Sequence, residues 1–293
     1  MIVHYSPLCC ETDVAFDTTH KAEAIAESLR RRPIAGVEIF EPRSATLDEI
    51  EAVHSHDHVR AVVEGEPWSL ATSSGLPGEW DDHLATAVLA STGGMRDAAL
   101  VALRDRAHSC SLSSGLHHAR RDRGSRYCTF NGLVVAARAA VAAGAQRVLV
   151  LPRRALRRWN GLAHHPTSTR SNKSTCRSSS STRTSRVRTH DRGVVRANEY
   201  LATIRDELAD IAEPGAIDLV IYNAGMDPHE DAGGVSGIDT VMLAEREDLV
   251  FSWLADHDLP CAFAMAGGYD GGVDIDGLVD LHRLTIERAA EAG

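Results

Sequence analysis

The 293-residue chain predicts an α/β fold, a parallel sheet covered on both faces by helices. Short apolar runs alternate with helical stretches along its length. The run Val148 to Leu151 is apolar without a break, as in a strand buried on both faces. Polar or glycine-bearing stretches follow several of these strands, where such sheets gather functional residues.

Ile2 to Tyr5 reads as the first strand. Thr19 to Arg32 reads as a helix with Ala22, Ile25, Ala26 and Leu29 on one face and Pro33 behind it. Val37 to Phe40 is a second strand. Thr46 and Glu49 form a capping box that opens a helix running toward His54, His56 and His58. His54 and His58 share a helix face only if that helix continues through them. Gly65 to Trp80 reads as a loop, and Asp82 to Leu103 as a long helix interrupted or bent at Gly93-Gly94.

Gly132 to Ala143 is a helix of small residues stopped by Gly144, and Arg147 to Leu151 a buried parallel strand. Later come helices over Asn198–Ile211, Val241–Asp256 and Ile275–Ala290, with strands over Ile217–Tyr222 and Pro260–Met265.

The totals exclude several classes. A formal net charge of -10 argues against a general nucleic-acid binder. Six cysteines are scattered, without the spacing of a disulfide frame or a four-cysteine zinc site. The first residues lack a basic region followed by an apolar run, and no apolar stretch reaches membrane-spanning length. A cytoplasmic setting without membrane contact is the expectation.

Three marks carry chemistry. Gly115-Leu116-His117-His118-Ala119 offers two imidazoles that titrate near neutral pH and can share one substrate. Tyr127-Cys128-Thr129-Phe130-Asn131 follows closely and opens a helix. Asn223-Ala224-Gly225-Met226-Asp227 ends a strand, and Gly267-Gly268-Tyr269 ends another. Singly each is weak: Asp227 can cap a turn before Pro228, and a Gly-Gly-Tyr is common.

In this order, the marks resemble the zinc-dependent histone deacetylase and acetylpolyamine amidohydrolase family. The resemblance implies one domain over residues 1–293, a three-layer α/β/α fold of the arginase/deacetylase kind with a mainly parallel sheet of about eight strands. It implies a zinc-dependent amidohydrolase acting on acetyl-lysine or acetylpolyamines. Zinc polarises the amide carbonyl and acidifies a bound water. By resemblance Asp227 is a zinc ligand, His118 the general base, His117 its electrostatic or acid partner, and Tyr269 the donor to the oxyanion. Tyr127 corresponds to an aromatic wall of the acyl channel, Gly115 to a backbone group beside it, and Gly267 and Gly268 to the turn that aims Tyr269. Arg126 stands where the family has glycine. The family has a similar segment to Val53–Val59, with a structural role.

One mark is missing. The family takes two more zinc ligands from an Asp-x-Asp-x-His motif that ends the strand equivalent to Val148–Leu151. Here that strand runs into Pro152-Arg153-Arg154-Ala155-Leu156-Arg157-Arg158-Trp159-Asn160. From Pro152 to Arg192 there are eleven basic residues, one acid and fourteen Ser or Thr, whereas the rest of the chain is strongly acidic. Read one base later, the codons of Arg153 to Asn160 can encode Asp-Ala-His-Cys-Gly-Gly-Gly-Thr, and the single Trp codon makes one of those glycines obligatory. Pro152 to about Arg192 therefore reads as a frameshifted segment, expected to be irregular and poorly packed, in a chain of impaired activity. A genuine basic loop in a divergent member is the alternative. His164, His165 and Cys176 have no spacing that makes them replacement ligands. Two other readings are a non-catalytic acetyl-lysine binder or scaffold and an arginase-like ureohydrolase, although the two-metal motifs of the latter are absent.

Overall fold

The structure is a computed structural model that describes residues 1–12, 20–66, 81–113, 116–125, 128–151, 196–268 and 272–293. The segment 152–192 and the residues Gly115, Tyr127 and Tyr269 lie outside these, so the expectations for them rest on sequence alone.

Six strands form one sheet in the order β2-β1-β3-β6-β5-β4, and every neighbouring pair is parallel. They are β1 (Ile2–His4), β2 (Glu38–Phe40), β3 (Ser109–Ser111), β4 (Val148–Leu151), β5 (Leu219–Gly225) and β6 (Cys261–Ala266). About eight were expected; six lie among the described residues. The helices are α1 (Lys21–Arg31), α2 (Leu47–Glu51), α3 (His56–Glu64), α4 (Leu84–Asp105), α5 (Gly132–Ala142), α6 (Ala197–Ala209), α7 (Thr240–Asp256) and α8 (Ile275–Ala292).

The two-residue side-chain period of the strands builds the layers. Val220 and Tyr222 of β5 and Cys261 and Phe263 of β6 pack with Ile25 and Leu29 of α1, Phe251 and Leu254 of α7, and Val279 and Ile286 of α8. Leu219, Ile221, Ala262 and Ala264 point the other way, onto Met95, Ala98 and Ala99 of α4 and Leu133, Ala136 and Ala140 of α5. The alanines on that face leave room for the small-residue helices to lie close.

Three expectations need correction. The capping box forms, with Thr46 Oγ1 accepting from Glu49 N and Glu49 Oε2 accepting from Thr46 N, but α2 stops after five residues. Ser55 then caps a new helix by accepting from His58 N, so His54 and His58 are not on one helix face. Helix α4 runs unbroken through Gly93-Gly94. Its glycines serve close approach: a Cβ on Gly93 would lie 2.1 Å from the Arg43 carbonyl oxygen. The buried Arg96 guanidinium, one turn on, clamps the same segment through the Arg43 carbonyl (2.6 Å) and the Glu49 carboxylate (2.7 Å). Finally, β4 is parallel as expected but only half-buried in all four residues, because among the described residues it pairs on one side alone.

The core strands also hold the thiols. Cys110 of β3 and Cys261 of β6 are fully buried, and burial drives both thiols up, helped by Cys261 at Cys110 and by Glu247 at Cys261. Cys9 and Cys128 are pushed up as well, to about 12 and about 11, again chiefly by burial.

Candidate active site

The site grows from three strand ends. After β3 the chain turns through Leu116, which takes a positive φ of 46° and sinks into the core. Gly132 makes that possible, since a Cβ there would meet Leu116 Cδ1 at 2.5 Å. His117 and His118 follow, both half-buried, their ring centroids 3.9 Å apart.

The stretch Cys128–Asn131 is the under-structure of this loop. Asn131 Nδ2 donates to the carbonyls of Ala119 (3.1 Å) and His117 (3.4 Å), while its Oδ1 caps α5 through Val134 N. The buried Cys128 thiol lies under this loop, where the backbone at His118, His117 and Ala119 offsets part of the effect of its burial. Asn131 N donates to His54 Nε2 at 2.9 Å, and His58 Nε2 donates to the Thr129 carbonyl at 3.0 Å. Both rings pack on Phe130. Burial, helped by His58, pushes His54 down to about 4, so it stays a neutral acceptor. The histidines of Val53–Val59 thus brace the loop by hydrogen bonding.

From β5, the buried Asn223 sets its Nδ2 3.1 Å from His117 Nδ1, donating to it; Asn223 Oδ1 has no hydrogen-bond partner among the described residues. Asn223 therefore links the histidine loop to the strand that leads to Asp227.

Asp227 is buried just past β5, and its Oδ1 accepts from Gly268 N at 3.0 Å. Gly267 and Gly268 both have positive φ, 55° and 83°. A Cβ on Gly267 would lie 2.1 Å from the Asp227 carboxylate, so only glycine lets that side chain sit where it does. Behind the turn, Lys21 Nζ and His282 Nε2 donate to the Gly267 carbonyl at 2.6 and 3.2 Å. Behind β5, Arg246 Nη1 donates to the Gly225 carbonyl at 2.5 Å, and Arg246 pairs with the buried Glu247, which also accepts from Tyr222 and Thr285.

Sequence reasoning named His117, His118, Asp227, Gly267 and Gly268, and the structure sets them beyond the ends of β3, β5 and β6. It missed Asn223 as a histidine partner, and it missed Lys21 and His282. Asn223 stood in view inside its own motif, but Lys21 looks like any solvent-facing lysine in the first turn of an amphipathic helix.

A three-ligand zinc centre is not met by the described residues. Of the ligands that the resemblance implies, Asp227 alone lies among them, and no group of three His, Cys, Asp or Glu side chains there is arranged to hold a metal ion.

A parallel sheet between two helical layers, with paired histidines beyond one strand and an acid and a glycine pair beyond two others, defines the deacetylase class of α/β fold. The HD domain of HDA15 superposes with a TM-score of 0.67 over 99% of this chain and 90% of that one, at 17% identity, a likeness of fold. A histone deacetylase domain profile matches residues 16–152. An uncharacterised protein of Picosynechococcus is 30% identical over 264 residues, 86% of this chain and 85% of its own length. The acetoin utilization protein AcuC of Bacillus subtilis is 34% identical over 110 residues, and that of Staphylococcus aureus MRSA252 is 28% identical over 125. The chain spans about a third of the length of these AcuC proteins, 28% and 31%. The chain belongs to the histone deacetylase family.

Proposed function

We propose that the coding lineage is a zinc-dependent amidohydrolase for acetylated amines, acetyl-lysine or acetylpolyamine, and that the chain as written binds zinc weakly and hydrolyses poorly. One observation carries this: the deacetylase profile ends at residue 152, where the sequence turns basic and the Asp-x-His ligands of the family are due. In this reading His118 takes a proton from water and passes one to the leaving amine. His117 is its electrostatic partner, held by Asn223 from β5. An amide carbonyl is a poor electrophile, and no metal-ligand set among the described residues is available to polarise it. The histidine pair cannot double as ligands, because proton transfer needs it.

The test compares this chain with one whose reading frame is restored from Pro152 to about Val194, which returns Asp-Ala-His-Cys-Gly-Gly-Gly-Thr after β4. Zinc content and hydrolysis of acetyl-lysine and acetylpolyamine are measured for both. The restored chain is expected to bind one zinc and turn over substrate. Equal zinc and equal turnover in the two would sink the frameshift reading and bring residues such as His164 and His165 back into play.

A further inference from the structure

The Gly267 carbonyl and the Gly268 N–H are the two ends of one peptide group. At one end it accepts from Lys21 Nζ (2.6 Å) and His282 Nε2 (3.2 Å); at the other it donates to Asp227 Oδ1 (3.0 Å). We propose that this peptide couples the Lys21 ammonium to the Asp227 carboxylate, and that Lys21 is a positioning residue for the acidic group of the site.

The reasons are physical. Lys21 is 2% exposed, and an ammonium taken out of water is costly unless it is well bonded. The packing of α1 does not call for it, since Ala22, Ile25, Ala26 and Leu29 supply the apolar face. A cation on a carbonyl polarises the amide and makes its N–H a stronger donor, and a bond from that N–H to a carboxylate is charge-assisted.

The peptide also has a second orientation open to it. It joins two glycines with positive φ, which meet little steric resistance to rotation. Rotated half a turn, it would aim its carbonyl at the Asp227 carboxylate and remove the Gly268 N–H bond. Lys21 and His282 fix the carbonyl end and so decide which end Asp227 meets. His282 is held neutral, since burial first and the Lys21 charge second push it well below the ordinary histidine value, and it donates through the Nε2–H tautomer. Lys21 reaches this corner from residue 21, far from the motif it serves.

The inference takes Asp227 as the acidic group of the site but needs no bound metal, so its failure is separable from failure of the deacetylase reading. The experiment uses the full chain, isotope-labelled, and follows the Gly268 amide proton and the Asp227 carboxyl carbon by NMR. In Lys21→Met the Gly268 proton is expected to move upfield and to exchange about tenfold faster or more, with the Asp227 carbon displaced. Lys21→Arg is expected to keep both signals near their original positions. A folded Lys21→Met with both signals unchanged would overturn the coupling, because a lysine that merely packs α1 would leave them alone. Where Lys21→Met does not fold, Lys21→Gln supplies a neutral donor. A Gly268 proton shifted upfield there supports the ammonium's part, and one identical with the unmodified chain overturns it.

Discussion

Two strand ends of the same sheet behave differently. All seven residues of β5 and all six of β6 are buried, and the turns beyond them are tied down by Lys21, His282 and Arg246 from three separate helices. The four residues of β4 are half-buried, and the sequence beyond Leu151 changes composition at once. Strand ends of either kind can carry a family motif. At the ends of β5 and β6, other elements supply the backbone scaffolding of the candidate site.

The contrast can be broken by mutation. Ile221→Ala, in the middle of β5, should cost about 2–5 kcal/mol, whereas Val150→Ala in β4 should cost about 1 kcal/mol. Urea midpoints for both decide it, and equal losses would mean that β4 is as much a part of the core as β5. Gly267→Ala should cost roughly 2–4 kcal/mol, from the positive φ and from the overlap of the new methyl with Asp227. A variant of unchanged stability would show that the turn can shift, and that the corner is less rigid than its hydrogen bonds imply.

A smaller effect comes with acid. His54 and His108 are pushed down to about 4, chiefly by burial, and His282 lies well below its ordinary value. Each binds a proton more readily unfolded than folded. Their contribution is whole above pH 6.5 and drains away as the pH falls from there toward the folded value. The slope is at most about 1.4 kcal/mol per pH unit for each histidine. Unfolding midpoints at pH 7, 6 and 5 should fall in step, and His54→Gln should flatten the curve. A profile flat from pH 7 to 5 would remove His54 as the weak point of the histidine loop and His282 as that of the glycine corner.

The alternation of strands and helices was readable because period-2 and period-3.6 patterns are local properties of the chain. The capping box at Thr46 and Glu49 was readable for the same reason. The course of α4 through Gly93-Gly94 was not, because those glycines answer to the backbone at Arg43–Ala45, which pattern alone does not bring near. Ser55 is a good N-cap residue, but the capping box at Thr46 and Glu49 suggested one helix running on toward His58 instead of a second helix start. At the site, the chemical side chains carried recognisable spacing. Their supports did not: Lys21 and His282 act on a carbonyl, and a carbonyl has no letter in the sequence.

The buried thiols allow the two halves of the sheet to be timed against each other. The thiolate is the form that attacks alkylating reagents, and Cys110, Cys261, Cys9 and Cys128 are all held against ionising while the chain is folded. Each can be labelled only when its own surroundings open. Cys261 on β6 then serves as a clock for the β5–β6 core, Cys128 for the floor of the histidine loop, and Cys9 for the short turn after β1. The order in which they take up label would rank how often each part of the molecule comes apart under native conditions.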